Sequence, residues 1–534
     1  MVTFAELLLA RAGDAHTGLR FEDESYSWDE VVTAARRRAG LLEPGTHVGV
    51  LLENVPEYVF WIGAAALAGA TVVGINPTRR GAELAADIRH TDCTLIVTDS
   101  AHAGLLGESL GEPGIPLILV DRPYDLPGPA DPVPVQPQDR LLLLFTSGST
   151  GAPKAVACGQ GRLAAIAVMS ARMGITREAV TYVAMPLFHG NAVMANLAMA
   201  VHAGATVALR RRFSASGFLP DVRRYGVTYF NYVGRALAYI LATPESPDDA
   251  GNTLQACFGT EASAQDMARF SARFGCMIIE GYGSSEGAIS LQKTPETPPD
   301  ALGVPQPGVE VAILDPETGA ECPRALFDDH ATLLNPESIG EIVGLNVASA
   351  FEGYYKNPEA DAERVRDGKY WSGDLGYRDE KGFFYFAGRG ADRLRVDSEN
   401  FAAAPVERIL SRWPAVVMCA VYPVPDPRTG DQVMAALELH AGFDPGELAA
   451  FLAAQPDLGT KWAPRFVRVI PSMPLTATGK VDKRPLRRDL WETADPVWYR
   501  PGRDLAYEPL SPDRAETLRT EFAAHGRTHL LVTP

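Results

Sequence analysis

Residues 141–154 of the chain, LLLLFTSGSTGAPK, decide the fold. The run LLLLF (141–145) has the composition of a buried strand, and it leads directly into a loop in which hydroxyl residues are interleaved with glycines. Glycines let backbone N–H groups converge on an anion, hydroxyl groups add donors, and a lysine adds a mobile positive charge. The stretch therefore predicts a polyphosphate-binding loop with these candidate ligands: Thr146, Ser147, Gly148, Ser149, Thr150, Gly151 and Lys154.

A loop rich in glycine and serine can also be a polar surface turn. Composition alone would favour that turn, whereas the order of the residues, directly after a buried strand, favours phosphate binding. The G-x-x-x-x-G-K-[ST] spacing is missing, so this is not a P-loop of the kind found in nucleotide hydrolases.

The regions on both sides of the loop alternate between β-rich runs and helix-length segments. Such alternation predicts βαβ units and largely parallel sheets. The uncharged stretch from Tyr58 to Ile75 changes from Ala-rich to β-branched after Gly69, so we expect a buried helix and a buried strand rather than a membrane helix. The predicted strands are 47–52, 71–75, 93–99, 116–121, 181–187 and 206–213.

The composition limits the partners and the compartment. A chain of 534 residues exceeds what one core supports, and 46% hydrophobic with 22% charged residues is typical of a globular protein. The net charge of −17 disfavours nucleic acid or an anionic membrane surface as the main partner. The six cysteines show neither C-x-x-C nor zinc-ligand spacing, and the first residues lack the basic segment of a signal peptide. We expect a cytoplasmic protein; peripheral contact with lipid at the inner membrane face and a homo-oligomer stay open.

The pattern of elements changes twice after the phosphate loop. From about residue 290 short strands and turns predict a small β-subdomain, and beyond the turn GRGADR (388–393) shorter α and β patterns alternate. We therefore predict a domain of residues 1–389 and a second domain of residues 390–534.

Four motifs carry a resemblance that spans nearly the whole chain. TSGSTGAPK (146–154) resembles the phosphate loop of the adenylate-forming superfamily, which includes acyl-CoA synthetases, peptide-synthetase adenylation domains and luciferases. GYGSSEG (281–287), YWSGDLGYRDEKGFFYFAGR (370–389) and PLTATGKVDKRPL (474–486) resemble that family's later motifs, in the family's order. The resemblance implies an α/β fold: a large N-terminal domain of stacked α/β subdomains plus a β-subdomain, followed by a small mobile α+β domain.

The same resemblance implies roles around ATP. Lys480 and Glu286 would be the catalytic residues, with Glu286 and Thr150 as Mg²⁺ ligands. Asp374 would accept hydrogen bonds from the ribose hydroxyls and Arg389 would donate to ribose or phosphate oxygens. The full adenine and ribose set is Gly259, Thr260, Glu261, Tyr282, Gly283, Ser285, Asp374 and Arg389, with Ser285 in place of the usual threonine.

Other positions would serve the acid and coenzyme A. The hinge would be Ala391 and Asp392, and the tunnel for the acyl group would include His189, Asn231 and Gly281. The segments 189–200 and 230–240 either line that tunnel or are simply core helices. The path of coenzyme A would include Arg395, Ser398, Glu399 and Asn400.

Two stretches resemble one branch, the very-long-chain acyl-CoA synthetases related to fatty-acid transport proteins and mycobacterial fatty-acid–CoA ligases. They are 384–400 and 495–512. Ser398 replaces the glycine of the more usual Gly-Glu-Asn, so its side chain could crowd coenzyme A, and Gln160 replaces a histidine that is common after the phosphate loop.

The resemblance implies an ATP-dependent acyl-CoA ligase that works through an acyl-adenylate, with ATP, Mg²⁺ and coenzyme A as cofactors. We expect a long- or very-long-chain fatty acid as the substrate. The alternatives are a steroid carboxylate, delivery of the acyl group to a carrier-protein thiol, or a catalytically degenerate nucleotide-binding protein.

Overall fold

The computed structural model describes most of the chain: residues 2–79, 81–106, 114–146, 154–233, 236–260, 262, 264–328, 333–389, 393–396, 399–428, 430–455, 458–459, 461–476, 480–502 and 504–531. These form two compact units, each discontinuous in sequence. Unit 1 comprises Met1–Ala262, Asp266–Ala288 and Ala348–Val365, and unit 2 comprises Ser263–Gln265, Ile289–Val347 and Arg366–Pro534. The domain boundary that we place after residue 389 stays a prediction.

Unit 1 contains two β-sheets flanked by helices. The strands are β1 (Thr17–Phe21), β2 (Glu24–Ser27), β3 (His47–Leu51), β4 (Thr71–Gly74), β5 (Leu95–Thr98), β6 (Leu117–Leu119), β7 (Arg140–Thr146), β8 (Lys154–Gly159), β9 (Val180–Val183), β10 (Thr206–Leu209), β11 (Tyr229–Val233), β12 (Ala256–Thr260) and β13 (Met277–Gly283). The helices are α1 (Phe4–Leu9), α2 (Trp28–Ala39), α3 (Pro56–Ala68), α4 (Gly81–His90), α5 (Ser100–Leu106), α6 (Gln160–Ala167), α7 (Gly190–Ala192), α8 (Ala198–Ala203), α9 (Ala215–Tyr225), α10 (Ala236–Leu241), α11 (Ala264–Phe274) and α12 (Pro358–Arg364), with a 3₁₀ turn at Val168–Met173 and a π-helical turn at Val193–Leu197.

The first sheet has the strand order β6-β5-β3-β4-β7-β8. Its neighbours are parallel except β7 and β8, which pair antiparallel. Strand β7 is the LLLLF run, and its four leucines are fully buried. Burial of each such side chain contributes about 1.5–3 kcal/mol. The predicted helix-to-strand transition is confirmed, because α3 ends at Gly69 in the left-handed region (φ 63°) and β4 follows.

The second sheet runs in the order β13-β12-β11-β9-β10-β1-β2 through unit 1. Every neighbouring pair is parallel except β1 and β2. The structure also corrects two predicted strand ends. Strands β9 and β10 stop at Val183 and Leu209, earlier than the apolar runs 181–187 and 206–213 had indicated.

Unit 2 consists of shorter strands and four helices among the described residues. The strands are β14 (Ser290–Gln292), β15 (Val304–Pro305), β16 (Val311–Leu314), β17 (Gly340–Gly344), β18 (Val365–Arg366, at the junction of the units), β19 (Lys369–Arg378), β20 (Phe384–Arg389), β21 (Arg393–Val396), β22 (Glu399–Ala402), β23 (Val416–Pro425), β24 (Asp431–Leu439), β25 (Phe466–Val469), β26 (Val497–Tyr499) and β27 (Glu508–Pro509). The helices are α13 (Ala403–Leu410), α14 (Pro445–Ala453), α15 (Lys483–Asp489) and α16 (Pro512–Ala524), with 3₁₀ turns at Pro336–Ser338, Ala348–Ala350 and Thr528–Leu530.

Two sheets give unit 2 its framework. One joins β16, β17 and β19, with β20 also paired to β19, and it corresponds to the predicted β-subdomain. The other has the order β23-β24-β25-β26-β27, and its apolar face includes Val421, Ala435 and Val467. Throughout the described part of the chain, no helix combines the length and the apolar character needed to cross a membrane.

Candidate active site

Several predicted nucleotide and acyl residues of unit 1 lie within or just after strands of the second sheet. Strands β9, β11, β12 and β13 are parallel, so their carboxyl ends lie together, which is where ligands bind in open α/β sheets. The predicted residues within or just after these strands are His189, Asn231, Gly259, Thr260, Gly281, Tyr282, Gly283, Ser285 and Glu286.

The loop after β13 presents Glu286. A tight turn forms here, with the Gly287 N–H donating to the Ser284 carbonyl (2.9 Å) and Gly287 at φ 69°. The guanidinium of Arg162 donates to the carbonyls of Ser285 and Ala157, which ties this loop to β8. Glu286 is 7% exposed, so its carboxylate is held in place rather than solvated.

Thr146 and Lys154 bracket the phosphate loop. They are the last residue of β7 and the first of β8, and the two strands pair them directly. Five predicted ligands between them, Ser147, Gly148, Ser149, Thr150 and Gly151, lie outside the described residues, as does Glu261. Strand pairing thus fixes both ends of the predicted loop.

Lys154 is almost completely buried, at 5% exposed. Its Nζ lies 2.8 Å from Oε2 of Glu363, a residue with more than half of its side chain exposed. The Lys154 ammonium holds the pKa of Glu363 below its usual value. Lys154 is therefore a buried residue whose ion-pair partner in the described part of the chain is partly solvated.

Tyr354 lies between these two groups. Its hydroxyl donates to Oε1 of Glu286 (2.8 Å), and Nζ of Lys154 lies 5.4 Å from the centre of its ring. Burial raises the pKa of the Tyr354 hydroxyl well above its ordinary value, so it stays protonated and donates. The sequence analysis did not identify Tyr354, Arg162 or Glu363 as site residues. For Tyr354 the only local signal is the segment GYYKNP (353–358).

The predicted acyl side contains a chain of three amide side chains, of which those of Asn196 and Asn231 are fully buried and that of Asn191 is half-buried. Nδ2 of Asn196 donates to Oδ1 of Asn231 (2.7 Å), and Nδ2 of Asn231 donates to Oδ1 of Asn191 (2.7 Å). Asn196 lies in the π-helical turn, a feature that is frequent at functional sites. We call Asn191, Asn196 and Asn231 the asparagine chain.

Two further observations concern the same side. Gly259 lies against the ring of Tyr232, where an added Cβ would approach within 2.4 Å, so no side chain fits at this position. The alternative that both predicted tunnel segments are simply core helices is wrong for the first part of the second segment, because residues 229–233 form β11, whereas residues 236–240 belong to α10. His189 accepts from the Asn191 N–H (3.4 Å), next to the asparagine chain.

The two sheets of unit 1 adjoin through Asn54, which follows β3. Its Oδ1 accepts from the Leu187 N–H (2.8 Å) and its Nδ2 donates to the Met185 carbonyl (2.9 Å).

Gln160, which replaces the histidine common in the family, accepts from the Ala5 N–H (3.1 Å) and donates to the Ala66 carbonyl (3.0 Å). Gln160 is therefore a structural link between α6 and the helices packed on it.

The predicted ribose residues lie in unit 2. The antiparallel register of β19 and β20 places Asp374 opposite Arg389. Gly373, at φ 76°, donates its N–H to Oε1 of Glu341 (2.6 Å), and Asp374 donates its N–H to Oγ of Ser372 (3.1 Å). These hydrogen bonds fix the S-G-D turn and therefore the backbone conformation at Asp374.

Lys480 belongs to a short antiparallel pairing in unit 2. Leu475 and Val481 form an antiparallel bridge, and the Thr476 N–H donates to the Lys480 carbonyl (2.7 Å). The predicted hinge residues Ala391 and Asp392 and the predicted coenzyme A residue Ser398 lie outside the described residues. Three others lie on the β21–β22 hairpin, where Arg395 pairs with Asn400 and Glu399 with Val396.

The groups present suit Mg²⁺ bound together with a nucleotide. Among the described residues, no cluster of three or more His, Cys, Asp or Glu side chains could hold a metal by itself. Mg²⁺ commonly binds through one or two carboxylates plus substrate phosphates, and Glu286 provides a buried carboxylate beside the phosphate-loop strand.

Comparison with known proteins covers the whole chain. The AMP-binding enzyme family matches residues 9–355, and the C-terminal domain of AMP-binding enzymes matches residues 405–480. The chain is 53% identical to the steroid-22-oyl-CoA synthetase of Rhodococcus jostii, over 99% of each chain. It is 45% identical to a medium/long-chain-fatty-acid–CoA ligase of Mycobacterium marinum, over 93% of this chain and 98% of that one.

Solved structures share the fold. An anthranilate–CoA ligase with bound anthranoyl-AMP matches with a TM-score of 0.81 at 22% identity, covering 91% of this chain and 96% of that chain. A benzoate–CoA ligase from Burkholderia xenovorans matches with a TM-score of 0.80 at 23% identity, covering 91% and 100%. The predicted fold class, a large α/β N-terminal part and a small C-terminal domain, is confirmed.

Fold and relatives together define an AMP-forming acid–thiol ligase. The chain belongs to the AMP-binding enzyme family. It is an ATP-dependent acyl-CoA ligase, with ATP, coenzyme A and a carboxylic acid as substrates and with Mg²⁺ as the metal.

Proposed function

We propose that this acyl-CoA ligase activates a steroid acid whose carboxylate is carbon 22 of the side chain. The observation that carries the proposal is the 53% identity over 99% of the chain to a steroid-22-oyl-CoA synthetase. Identity to the fatty-acid ligase is lower, 45% over 93% of the chain. We therefore propose the steroid alternative as the substrate in place of the expected fatty acid.

In the first half-reaction a carboxylate oxygen bonds to the α-phosphorus of ATP, and the bond to the bridging oxygen breaks so that pyrophosphate leaves. The 146–154 loop would hold the departing phosphates, and Lys480 would stabilise the charge that grows on the α-phosphate. Glu286 and Thr150 would hold Mg²⁺, which neutralises phosphate charge when bound. Tyr282, with Gly259, Thr260, Glu261, Gly283 and Ser285, would border the adenine; Asp374 and Arg389 would bind the ribose.

In the second half-reaction the coenzyme A thiolate attacks the acyl carbon, AMP leaves, and the thiol proton passes to solvent. We infer that the small domain turns about Ala391 and Asp392 between the two steps, a common way to give one site two reactions. The segment containing Arg395, Ser398, Glu399 and Asn400 would then border the path of the thiol.

The asparagine chain supports a polar element in the acyl site. A plain fatty-acid tunnel needs apolar walls, whereas buried amides need hydrogen-bond partners, and the buried Oδ1 of Asn196 has none among the described residues. Asn231, together with His189 and Gly281, would contact the acid close to its carboxylate end. Contact with membrane lipid and homo-oligomer formation stay predictions.

The test compares acids at equal ATP, Mg²⁺ and coenzyme A, with pyrophosphate and thioester both measured. A steroid acid with a C22 carboxylate is expected to give a kcat/KM at least tenfold above saturated fatty acids of 8 to 24 carbons, a tenfold ratio corresponding to about 1.4 kcal/mol. Lys480→Ala is the matched inactive control.

The second candidate is a medium- or long-chain fatty acid, favoured by the mycobacterial relative. A fatty acid that exceeds the steroid acid in kcat/KM would replace the proposal with this one. Pyrophosphate without thioester would indicate another thiol acceptor, such as a carrier protein. No pyrophosphate with any acid would indicate a degenerate nucleotide-binding protein.

A further inference from the structure

Residues 351–356, which we call the strap, lie along β8. The Tyr355 N–H donates to the Ala155 carbonyl (2.8 Å), and the Ala157 N–H donates to the Gly353 carbonyl (3.0 Å). Gly353 is at φ 87°, where an L side chain would be strained. These bonds fix the backbone on each side of Tyr354 against the strand that begins with Lys154.

The side chain of Tyr354 is oriented by a fixed set of donors and acceptors. Nε of Arg364 donates to the Tyr354 oxygen (3.2 Å), and arginine has no acceptor. The hydroxyl hydrogen is therefore directed to Glu286, whose Oε1 is 2.8 Å away. Tyr354 is 4% exposed, so water competes little for this bond.

The bond to Glu286 leaves that carboxylate with a defined rotamer. A hydrogen bond to a charged group is stronger than one between neutral groups, and fixing a glutamate side chain costs rotamer entropy. Because folding already fixes the rotamer of Glu286, the binding of a cation does not have to restrict that side chain further. The same ring faces the Lys154 ammonium, so one side chain contacts both charged groups.

We propose that Tyr354 is a positioning residue, whose hydroxyl fixes the Glu286 carboxylate for Mg²⁺ and whose ring limits the positions of Lys154 beside the triphosphate. The proposal rests on the proposed function of Glu286 and Lys154. It assigns to the strap a role in the first half-reaction that no motif of the sequence marks.

The test is Tyr354→Phe, which keeps the ring against Lys154 and removes the hydroxyl. The matched control is Tyr355→Phe, which removes the neighbouring hydroxyl on the same strap, bonded to Asp92 (2.5 Å). Calorimetric titration of Mg²⁺ into protein with saturating α,β-methylene ATP needs no turnover. Tyr354→Phe is expected to weaken Mg²⁺ binding roughly tenfold, and Tyr355→Phe to leave it unchanged.

A double-mutant cycle with Glu286→Gln separates positioning from a general structural effect. If Tyr354 acts through Glu286, the double variant binds Mg²⁺ no more weakly than Glu286→Gln alone. Additive losses, or equal losses in both tyrosine variants, would overturn the proposal. Should Tyr354→Phe melt early, Arg364→Lys, which alters the donor to the tyrosine oxygen, is expected to shift Mg²⁺ affinity in the same direction.

The outcome also distinguishes this inference from the proposed function. Unchanged Mg²⁺ binding in Glu286→Gln would refute the metal assignment itself. Weakened binding in Glu286→Gln with wild-type binding in Tyr354→Phe would refute only the role of Tyr354. Neither result depends on which acid the enzyme activates.

Discussion

Lys154 and Lys480 both follow a loop of threonine and glycine in the sequence, TSGSTGAPK and TATGK, yet their surroundings differ. Lys154 begins β8, the last strand of the first sheet, is 5% exposed, and has Glu363 and Tyr354 beside it. Lys480 is half-buried on a short hairpin whose backbone bonds are local. Because Lys154 is part of a β-sheet, its position is fixed before any ligand binds. Lys480 belongs to unit 2, so its position depends on that unit.

The largest expected effect is that of Lys480→Ala. Removing a cation from the transition state should lower the rate of pyrophosphate release by about 10²–10³-fold, as losses of similar electrostatic groups do. Thioester formation from chemically supplied acyl-adenylate should stay within about threefold of wild type. Rapid-quench measurement of both half-reactions is the test, and equal losses in both would remove the distinction between the two lysines.

Lys154→Ala should act on nucleotide binding as well as on rate. We expect kcat/KM for ATP to fall roughly 10–100-fold, because a phosphate loses a preorganised cation. The control is Glu363→Gln, which keeps Lys154 but removes its exposed counterion, and it should change kcat/KM less than about threefold. A larger loss in Glu363→Gln than in Lys154→Ala would mean that the ion pair, not the lysine, is what the site needs.

Asn231→Leu tests whether the acyl side of unit 1 is preorganised to the same degree as the surroundings of Lys154. The substitution interrupts the asparagine chain and should raise KM for the acid about tenfold while KM for ATP stays unchanged. Asn252→Leu, in the loop before β12, removes hydrogen bonds to the carbonyls of Asp249 and Phe274 and serves as the stability control. A change in KM for ATP in Asn231→Leu alone would instead connect this chain to the nucleotide side.

The smallest expected effect concerns the scaffold under the phosphate loop. Burial raises the pKa of Asp87 in α4 to about 6, against the opposing effect of Arg79. A carboxyl whose pKa is higher in the folded state binds more protons there, so its contribution favours folding as pH falls towards the ordinary value near 4. Between pH 7 and pH 5 this should add about 1 kcal/mol to the free energy of unfolding.

Asp87→Asn should lack that pH-dependent increment. Denaturant melts of both proteins at pH 5, 6 and 7 are the measurement. If the difference in stability between wild type and variant is constant across this range, the carboxyl does not titrate in it.

Local patterns were enough to predict much of the fold. The α3–β4 transition and β7 depend on short-range composition, and the paired ends of the phosphate loop depend on the strand that precedes it. The partners of the site do not follow such patterns. Lys154 and Glu363 are 209 residues apart, and Glu286 and Tyr354 are 68 apart, so only the folded chain brings them together. Strand β11 was ambiguous with a helix because its residues, apolar or aromatic apart from Asn231, show no distinct period.

The position of the strap in the sequence has a consequence for biosynthesis. Strand β8 is the last strand of the first sheet, and the strap covers its outer edge. The chain reaches Glu363, just beyond the strap, some 200 residues after Lys154. At about 5–20 residues per second, a ribosome takes roughly 10–40 s to synthesise that interval. During this time the nascent chain exposes an unpaired strand edge, the kind of surface that pairs with other chains. Completion of the strap therefore covers this strand edge and, in the same event, places Tyr354 between Lys154 and Glu286.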